Sequence, residues 1–404
     1  MKRSTQAGLL AGMMAAACAL PLPARAEIKG ETIRIGVLTD MTGPFATAMG
    51  PGSVAAAQMA ADSFGGQIDG RKIEILQADH QNKPDVASSI ARAWFARDGV
   101  QMIADGGTSA AALAVQQVAR DNNRVFLISG AGVADLSDKA CAPLSVQWTQ
   151  DSYSTATAVV EGVTKVVKGP WYFITADYAF GRSIEETARA RLDKLGVPVA
   201  GTARTAMNET DFSNVLIQAQ ASGAKVVGLN AAGGNATAMK QAAEFGLANQ
   251  GIAIVPMSFQ NVDIKAAGLP VAQGDLIVTS FFEDQSPAAR AWSDAFFAKR
   301  QTMPSQIQAG VYSAVRHYLQ AVKDTGSDDA ATVMAKMKAT PVEDAFATRG
   351  AIRADQRLAK DLYLVQVKTP EESKGAWDLV KQRAVIPAAD AFRPLAESHC
   401  PLVH

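Results

Sequence analysis

One pattern recurs along the chain and restricts its fold: an apolar strand, a turn of small polar residues, then a helix. The clearest copy spans residues 32–45, where the strand breaks at Gly43-Pro44 before a helix from about Gly52. Four such strands are predicted between residues 32 and 129, and the pattern restarts after Pro143. Strands that alternate with helices are typical of a doubly wound parallel sheet, which binds ligands at the carboxyl ends of its strands. The sequence therefore predicts two doubly wound, three-layer α/β/α units.

The first 26 residues have the pattern of an export signal, with cleavage predicted after Ala26. Lys2 and Arg3 precede an apolar run that ends in an A-x-A pattern, and the run is too short to span a bilayer. Lipid attachment at Cys18 is the alternative. Cleavage leaves 378 residues with a formal net charge of −3. That length favours two domains, and that charge favours neither a nucleic acid nor an anionic membrane surface as partner.

The two cysteines that remain after cleavage are Cys141 and Cys400. In an oxidising compartment, such a pair favours one disulfide, which would tie the C-terminus to the loop around Cys141. Two separate buried thiols are the alternative. The histidines show no paired ligand spacing, so no metal site is predicted.

The sequence lacks the common catalytic and dinucleotide-binding motifs. Gly130-Ala131-Gly132 begins a dinucleotide-binding fingerprint, but Asp135 occupies the position of the third glycine. The sequence has no H-E-x-x-H, C-x-x-C or G-x-S-x-G motif. We therefore predict a protein that is not an enzyme and uses no cofactor.

The predicted strand ends supply the candidate ligand contacts. Those of the first unit are mostly small, hydroxylic or glycine residues, whose free backbone N–H groups at helix starts suit a carboxylate. Those of the second unit are aromatic or amide residues, which suit an apolar or aromatic body. The alternatives are plain helix caps for Thr108 and Ser109, and core positions for Tyr178 and Phe180, which precede a helix predicted from Ser183. The candidates are Phe45, Thr108, Ser109, Ser129, Gly130, Ala131, Tyr178, Phe180, Asn230, Phe259 and Gln260.

Taken together, several stretches resemble the periplasmic solute-binding proteins of branched-chain amino acid-type ABC transporters. The resemblance covers the mature chain and implies the type 1 periplasmic binding fold, in which three crossings join two lobes. On this sequence the crossings fall near Thr149, Ser280 and Ala351. The stretches are residues 33–44, 106–109, 176–181, 211–213, 241–246 and 308–312.

The resemblance also implies lobe boundaries and roles. The N-terminal lobe comprises residues 27–148 and 281–350, the C-terminal lobe residues 149–280 and 351–383, and a tail covers 384–404. Thr108-Ser109 and residues 129–132 match the turns that bind the ligand carboxylate in the family. The family's pocket tyrosine falls on Phe180, and an aromatic from the first lobe falls near Met49.

One departure from the family bears on the ligand. Amino-acid-binding members carry an acidic residue, which holds the ammonium group, after the strand that ends here in Ser258-Phe259-Gln260. No carboxylate is expected at that point in this sequence. An unpaired buried ammonium is costly, so the resemblance implies a hydrophobic or aromatic carboxylate rather than a branched-chain amino acid, unless Asp177 or Glu283 substitutes. The expected protein is a periplasmic monomer that hands this ligand to an inner-membrane permease. The alternative is a periplasmic sensor that signals to a partner protein.

Overall fold

The computed structural model describes residues 27–403, so the predicted signal, its cleavage site and Cys18 lie outside the described residues. The first part of the chain forms a six-stranded sheet in the order β2-β3-β1-β4-β5-β6, parallel except at β2. Its elements are β1 (Thr32–Thr39), α1 (Gly50–Asp62), β2 (Gln67–Ile68), β3 (Arg71–Asp79), α2 (Pro84–Ala96), β4 (Val100–Asp105), α3 (Ser109–Asp121), β5 (Val125–Ile128) and β6 (Ser145–Gln147).

The next part forms a four-stranded parallel sheet in the order β10-β9-β7-β8. It confirms the predicted second doubly wound unit. Its elements are α4 (Ser152–Val166), β7 (Trp171–Ala176), α5 (Ala179–Lys194), β8 (Val199–Thr205), α6 (Ser213–Ala221), β9 (Val226–Asn230), α7 (Asn235–Glu244), β10 (Ala253–Pro256), α8 (Asn261–Ala267) and α9 (Leu269–Ala272).

The remaining elements pack against both of the parts described above. Strands β11, β14 and β15 form an antiparallel sheet, and β12 pairs antiparallel with β13. The elements are β11 (Leu276–Thr279), α10 (Pro287–Arg300), α11 (Gln306–Thr325), α12 (Ala330–Ala339), β12 (Ala351–Ile352), β13 (Leu358–Ala359), β14 (Leu362–Val367), β15 (Val380–Ile386) and α13 (Ala388–Ala391).

Both faces of the first sheet are covered, which is why β4 is buried at every residue. Helices α1 and α11 pack on one face, where Val311 and Tyr318 join the core, and α2 and α3 cover the other. Close packing requires Gly36 in β1, since a Cβ there would lie 2.3 Å from the Trp94 ring. The second sheet has α4 and α5 on one face and α6 and α7 on the other.

Helices α10 to α12 pack on the first sheet, so two bodies of discontinuous sequence result. Ile352 and Leu358 also belong to the core of the first body, whereas Leu362 belongs to that of the second. We therefore propose that the third crossing lies close to Lys360 rather than near Ala351. The other predicted lobe boundaries stay predictions.

Two buried cations join the proposed third crossing to the segments near Thr149 and Ser280, where the other two crossings are predicted. The Arg357 guanidinium donates to the Thr149 carbonyl at 2.7 Å and pairs with the Asp151 carboxylate at 2.9 Å. The Lys360 ammonium donates to the Ser280 carbonyl and lies 4.5 Å from the centre of the Phe346 ring. Burial lowers the pKa of Lys360 to about 7. The hinge is therefore fixed by side chains as well as by the backbone.

The predicted disulfide is confirmed, with the Cα atoms of Cys141 and Cys400 5.6 Å apart. Beside it, Asp138 pairs with the His399 ring at 3.1 Å. Among residues 27–403, no group of three or more His, Cys, Asp or Glu side chains is arranged to hold a metal ion. Within the same range, no helix has the length and apolar character needed to cross a membrane.

Candidate functional site

A cleft of about 600 Å³ lies between the two bodies, where the carboxyl ends of their strands face each other. Its lining combines hydroxyl, amide, aromatic and aliphatic side chains, and none of the residues that line it is charged. They are Phe45, Met49, Gly107, Thr108, Ser109, Ser129, Gly130, Gly132, Thr149, Gln150, Thr155, Tyr178, Phe180, Ser258, Gln260, Gln306 and Ile307.

The structure brings most of the predicted contact residues together in this cleft. Asn230 lines an adjoining cavity of about 420 Å³, which shares the side chains of Phe45, Tyr178 and Gln260 with the cleft. The predicted residues in the cleft itself are Phe45, Met49, Thr108, Ser109, Ser129, Gly130, Tyr178, Phe180 and Gln260.

Two predicted residues lie elsewhere. Phe259 is buried in the core of the second body and lines a neighbouring cavity beside β11, which shares Gln260 and Gln306 with the cleft. Neighbouring side chains in extended chain point to opposite sides, so Gln260 reaches the cleft while Phe259 turns away from it. Ala131 is buried in the core beneath α3, and its carbonyl accepts a hydrogen bond from the Gln147 amide at 3.0 Å.

The turn after β1 places Phe45 in the cleft. The buried Asp40 carboxylate accepts hydrogen bonds from the backbone N–H groups of Gly43 at 2.7 Å and Phe45 at 2.9 Å. This arrangement bends the chain sharply and presents the Phe45 ring to Tyr178 of the other body, with ring centres 6.1 Å apart. The aromatic contact therefore closes one side of the cleft.

The N-terminus of α3 and the end of β5 supply the polar side. Thr108 holds the N-cap position of α3, yet its side chain makes no capping hydrogen bond. The Ser109 hydroxyl accepts from the Val133 N–H at 3.2 Å, and the buried Ser129 hydroxyl has no partner within residues 27–403. Buried hydroxyls without partners are costly unless something else bonds to them. Thr108 and Ser129 are therefore free to bond a ligand.

The second body contributes two aromatic rings at the start of α5. Tyr178 is the N-cap residue of this helix, and its ring centre lies 6.1 Å from that of Phe180. Phe180 packs against Gly132 of the first body, where an added Cβ would come within 2.6 Å of the ring. Burial raises the pKa of the Tyr178 hydroxyl, so this phenol stays neutral.

Two glutamines near the predicted crossings, Gln150 and Gln306, line the cleft but were not predicted from the sequence. The Gln150 amide nitrogen donates to the side-chain oxygen of Gln306, which also accepts from the Ser280 backbone N–H at 3.0 Å. Among the described residues the Gln150 side-chain oxygen has no partner. Gln150 could have been predicted from its position next to the crossing expected near Thr149, because a residue at a crossing lies between the lobes. Gln306 and Ile307 gave no comparable signal.

Neither acid suggested as a substitute for the missing ammonium partner lines the cleft. Asp177 is exposed and pairs with Arg182 at 2.7 Å, while Glu283 lies in the cavity beside β11. The expectation of no carboxylate after Gln260 needs a correction, since Asp263 in α8 lines the adjoining cavity. Its carboxylate accepts from the Gln260 N–H at 2.9 Å, and burial raises its pKa to about 6.

Comparison with known proteins identifies the class. Residues 32–376 match the periplasmic binding protein family, and the chain belongs to it. The Leu/Ile/Val-binding protein homolog 3 of Brucella melitensis is 25% identical over 325 residues, which cover 78% of this chain and 86% of the relative. The protein is thus a periplasmic substrate-binding protein of the branched-chain amino acid type of ABC transporter.

Solved structures agree with this assignment. A periplasmic binding protein from Burkholderia mallei has a TM-score of 0.89 at 38% identity, covering 93% of this chain and all of its own (100%). A branched-chain amino acid ABC transporter ligand-binding protein from Burkholderia xenovorans LB400 has a TM-score of 0.83 at 37% identity, with 92% and 100% covered. Both are named as periplasmic binding proteins, and the second is named as the ligand-binding protein of an ABC transporter.

The fold is also shared with a Rhodopseudomonas palustris BisB5 solute-binding protein that was solved with 3,4-dihydroxy benzoic acid. It has a TM-score of 0.80 at 20% identity, covering 89% of this chain and 98% of its own.

Proposed function

We propose that the protein closes on a small aromatic or hydrophobic carboxylate and delivers it to an inner-membrane permease. Branched-chain amino acids are the less favoured ligands. The observation that carries the proposal is a cleft whose described lining residues are all uncharged. Hydroxyl groups stand on one side, with that of Ser129 unpartnered within residues 27–403, and a cluster of aromatic rings stands on the other. We also propose export with cleavage after Ala26 and action as a monomer.

The carboxylate end of the ligand is assigned to the first body. Thr108, Ser109 and Ser129 offer hydroxyl groups, and the first backbone N–H groups of α3 have no partners within the helix. The positive end of the helix dipole favours an anion without a cationic side chain. Tyr178 and Gln306 stand at the starts of α5 and α11, so two further helix N-termini face the same space.

The body of the ligand is assigned to the aromatic rings. Phe45, Tyr178 and Phe180 form a chain of rings with centres 6.1 Å apart, and Met49 and Ile307 complete the apolar surface. Flat apolar ligands fit between such rings, and an ammonium group would meet no carboxylate in the cleft lining. The dihydroxybenzoic acid in the Rhodopseudomonas palustris protein is of this ligand class.

A ligand panel tests the proposal. We expect benzoate and 4-hydroxybenzoate to raise the melting temperature at millimolar concentration, because a ligand at 100 times its Kd stabilises the folded state by about 2.7 kcal/mol. Benzamide and leucine are the matched controls, since one keeps the ring without the charge and the other adds an ammonium group. Tight binding of leucine or valine in calorimetry, with no binding of the aromatic acids, would contradict the proposal.

Phe180→Ala tests the aromatic contact. Loss of a ring that a ligand buries costs about 2 kcal/mol of binding free energy, so the Kd for benzoate should rise about 30-fold in calorimetry. Phe245→Ala is the control, because Phe245 is a partly exposed phenylalanine (38%) on the same body and lies after α7, outside the cleft lining. Equal affinities of the two variants would remove Phe180 from the site.

A further inference from the structure

Asp105 is a fully buried carboxyl group at the end of β4, next to the turns that carry Thr108 and Ser129. Its backbone has a φ of +80°, in the left-handed region that residues other than glycine seldom occupy. Such a conformation persists only where the surrounding structure holds it, and it clusters at ligand sites.

Both turns send backbone N–H groups to this one residue. The Asp105 carbonyl accepts from Ser129 at 3.1 Å and from Gly130 at 3.0 Å. Its side-chain Oδ1 accepts from the Gly107 N–H at 3.3 Å. Asp105 therefore links the turn before α3 to the turn after β5, and both turns line the cleft.

The packing beneath these turns is tight and polar. A Cβ on Gly130 would lie 2.3 Å from Asp105 Oδ1, and one on Gly107 would lie 1.7 Å from Nε2 of the buried His80. Glycine is therefore required at both positions by the side chains below. A shift of Asp105 would therefore move the turns that contain Gly107 and Gly130, and both turns line the cleft.

We propose that Asp105 is a positioning residue that holds the Gly107 and Ser129 turns in one register, so that the hydroxyls of Thr108 and Ser129 meet the same ligand carboxylate. The identity of that ligand rests on the proposed function. The coupling of the two turns is a property of the unliganded protein.

The charge on Asp105 gives the proposal a pH signature. Burial raises the pKa of Asp105 from 3.8 to about 6, and the neighbouring Asp40 carboxylate adds to the rise. The other titratable group beside the Gly107 turn is His80, whose pKa is lowered by burial. The folded state therefore holds this proton longer than the unfolded state does, and stability falls as the pH rises from about 4 to about 6. An ionised Asp105 would also repel a bound carboxylate, so affinity should fall through the same pKa.

The test compares Asp105→Ala and Asp105→Asn with Asp275→Asn. Asp275 is the control, because it is a half-buried residue of the second body whose Oδ2 atom is buried, burial raises its pKa to about 8, and it lies outside the cleft lining. Asparagine tolerates positive φ and keeps the Oδ1 acceptor for the Gly107 N–H, whereas alanine has no such acceptor and disfavours positive φ. The readouts are hydrogen exchange of the Gly107, Ser129 and Gly130 amides without ligand, and 4-hydroxybenzoate affinity from pH 5.5 to 8.

We expect Asp105→Ala to speed exchange of the three amides about tenfold and to weaken 4-hydroxybenzoate binding about tenfold at every pH. Asp105→Asn should exchange like the wild type, and its affinity should no longer fall with pH. Asp275→Asn should leave exchange of the three amides and affinity unchanged.

Wild-type exchange in Asp105→Ala would overturn the proposal. Where that variant does not fold, a wild-type pH slope in Asp105→Asn overturns it instead. Absence of aromatic acid binding in the wild type would refute the proposed function, and the exchange rates would still decide the role of Asp105.

Discussion

Replacing Arg357 by methionine should lower the free energy of unfolding by about 3–5 kcal/mol. The substitution leaves the Asp151 carboxylate buried without its cation and the Thr149 carbonyl without its donor. An uncompensated buried charge is one of the few mechanisms by which a point mutation causes a large loss of stability. Urea denaturation followed by circular dichroism would measure the loss.

Two further variants separate the buried charge from a general effect of arginine loss. Arg290→Met removes a half-buried arginine that pairs with Asp284 at the surface, and we expect it to cost less than about 1 kcal/mol. Adding Asp151→Asn to Arg357→Met should restore part of the stability, since asparagine can still accept from the Ser154 N–H that Asp151 caps. Equal losses in Arg357→Met and Arg290→Met would contradict this account of the hinge.

Removing the disulfide with Cys141→Ala and Cys400→Ala together should cost about 2–5 kcal/mol of unfolding free energy. The bond joins residues 259 positions apart, and the entropy that a crosslink removes from the unfolded chain grows with the length of the loop. The loss would appear as an earlier midpoint in urea denaturation under oxidising conditions.

Reductant provides the internal control for the disulfide. Dithiothreitol should move the wild-type midpoint to that of the double alanine variant and leave the variant unchanged. A reductant effect of the same size on both proteins would show that the bond does not carry the stability difference.

The regular elements could be predicted because burial leaves a strong periodic signal in a doubly wound sheet. Four of the six residues of strand β4 are apolar and all six are buried, since helices cover both of its faces. The start of helix α5 was predicted less accurately, because the helix begins at Ala179 rather than at the predicted Ser183. Its N-cap, Tyr178, makes no capping hydrogen bond with its side chain, so the sequence carried no start signal there.

The lining of the cleft could be predicted only where its residues follow a strand. Thr108 and Ser129 were predicted in that way and line the cleft, whereas Gln306 enters the cleft from the start of α11, far along the chain. No pattern in the sequence around Gln306 indicates where α11 packs in the fold. The pairing of Gln306 with Gln150 depends on how the crossings bring the two bodies together. Phe259 was predicted together with Gln260 but does not line the cleft, because neighbouring side chains in extended chain point to opposite sides.

The uncharged lining of the cleft has a consequence for the conditions under which the protein can work. Salt weakens binding between fixed charges, because mobile ions screen them within about 10 Å at 0.1 M ionic strength. Under the proposed function, the bound anion is held by hydroxyls, backbone N–H groups and aromatic rings, and it loses little to such screening once it is enclosed. We therefore expect the affinity for an aromatic carboxylate to change little with salinity.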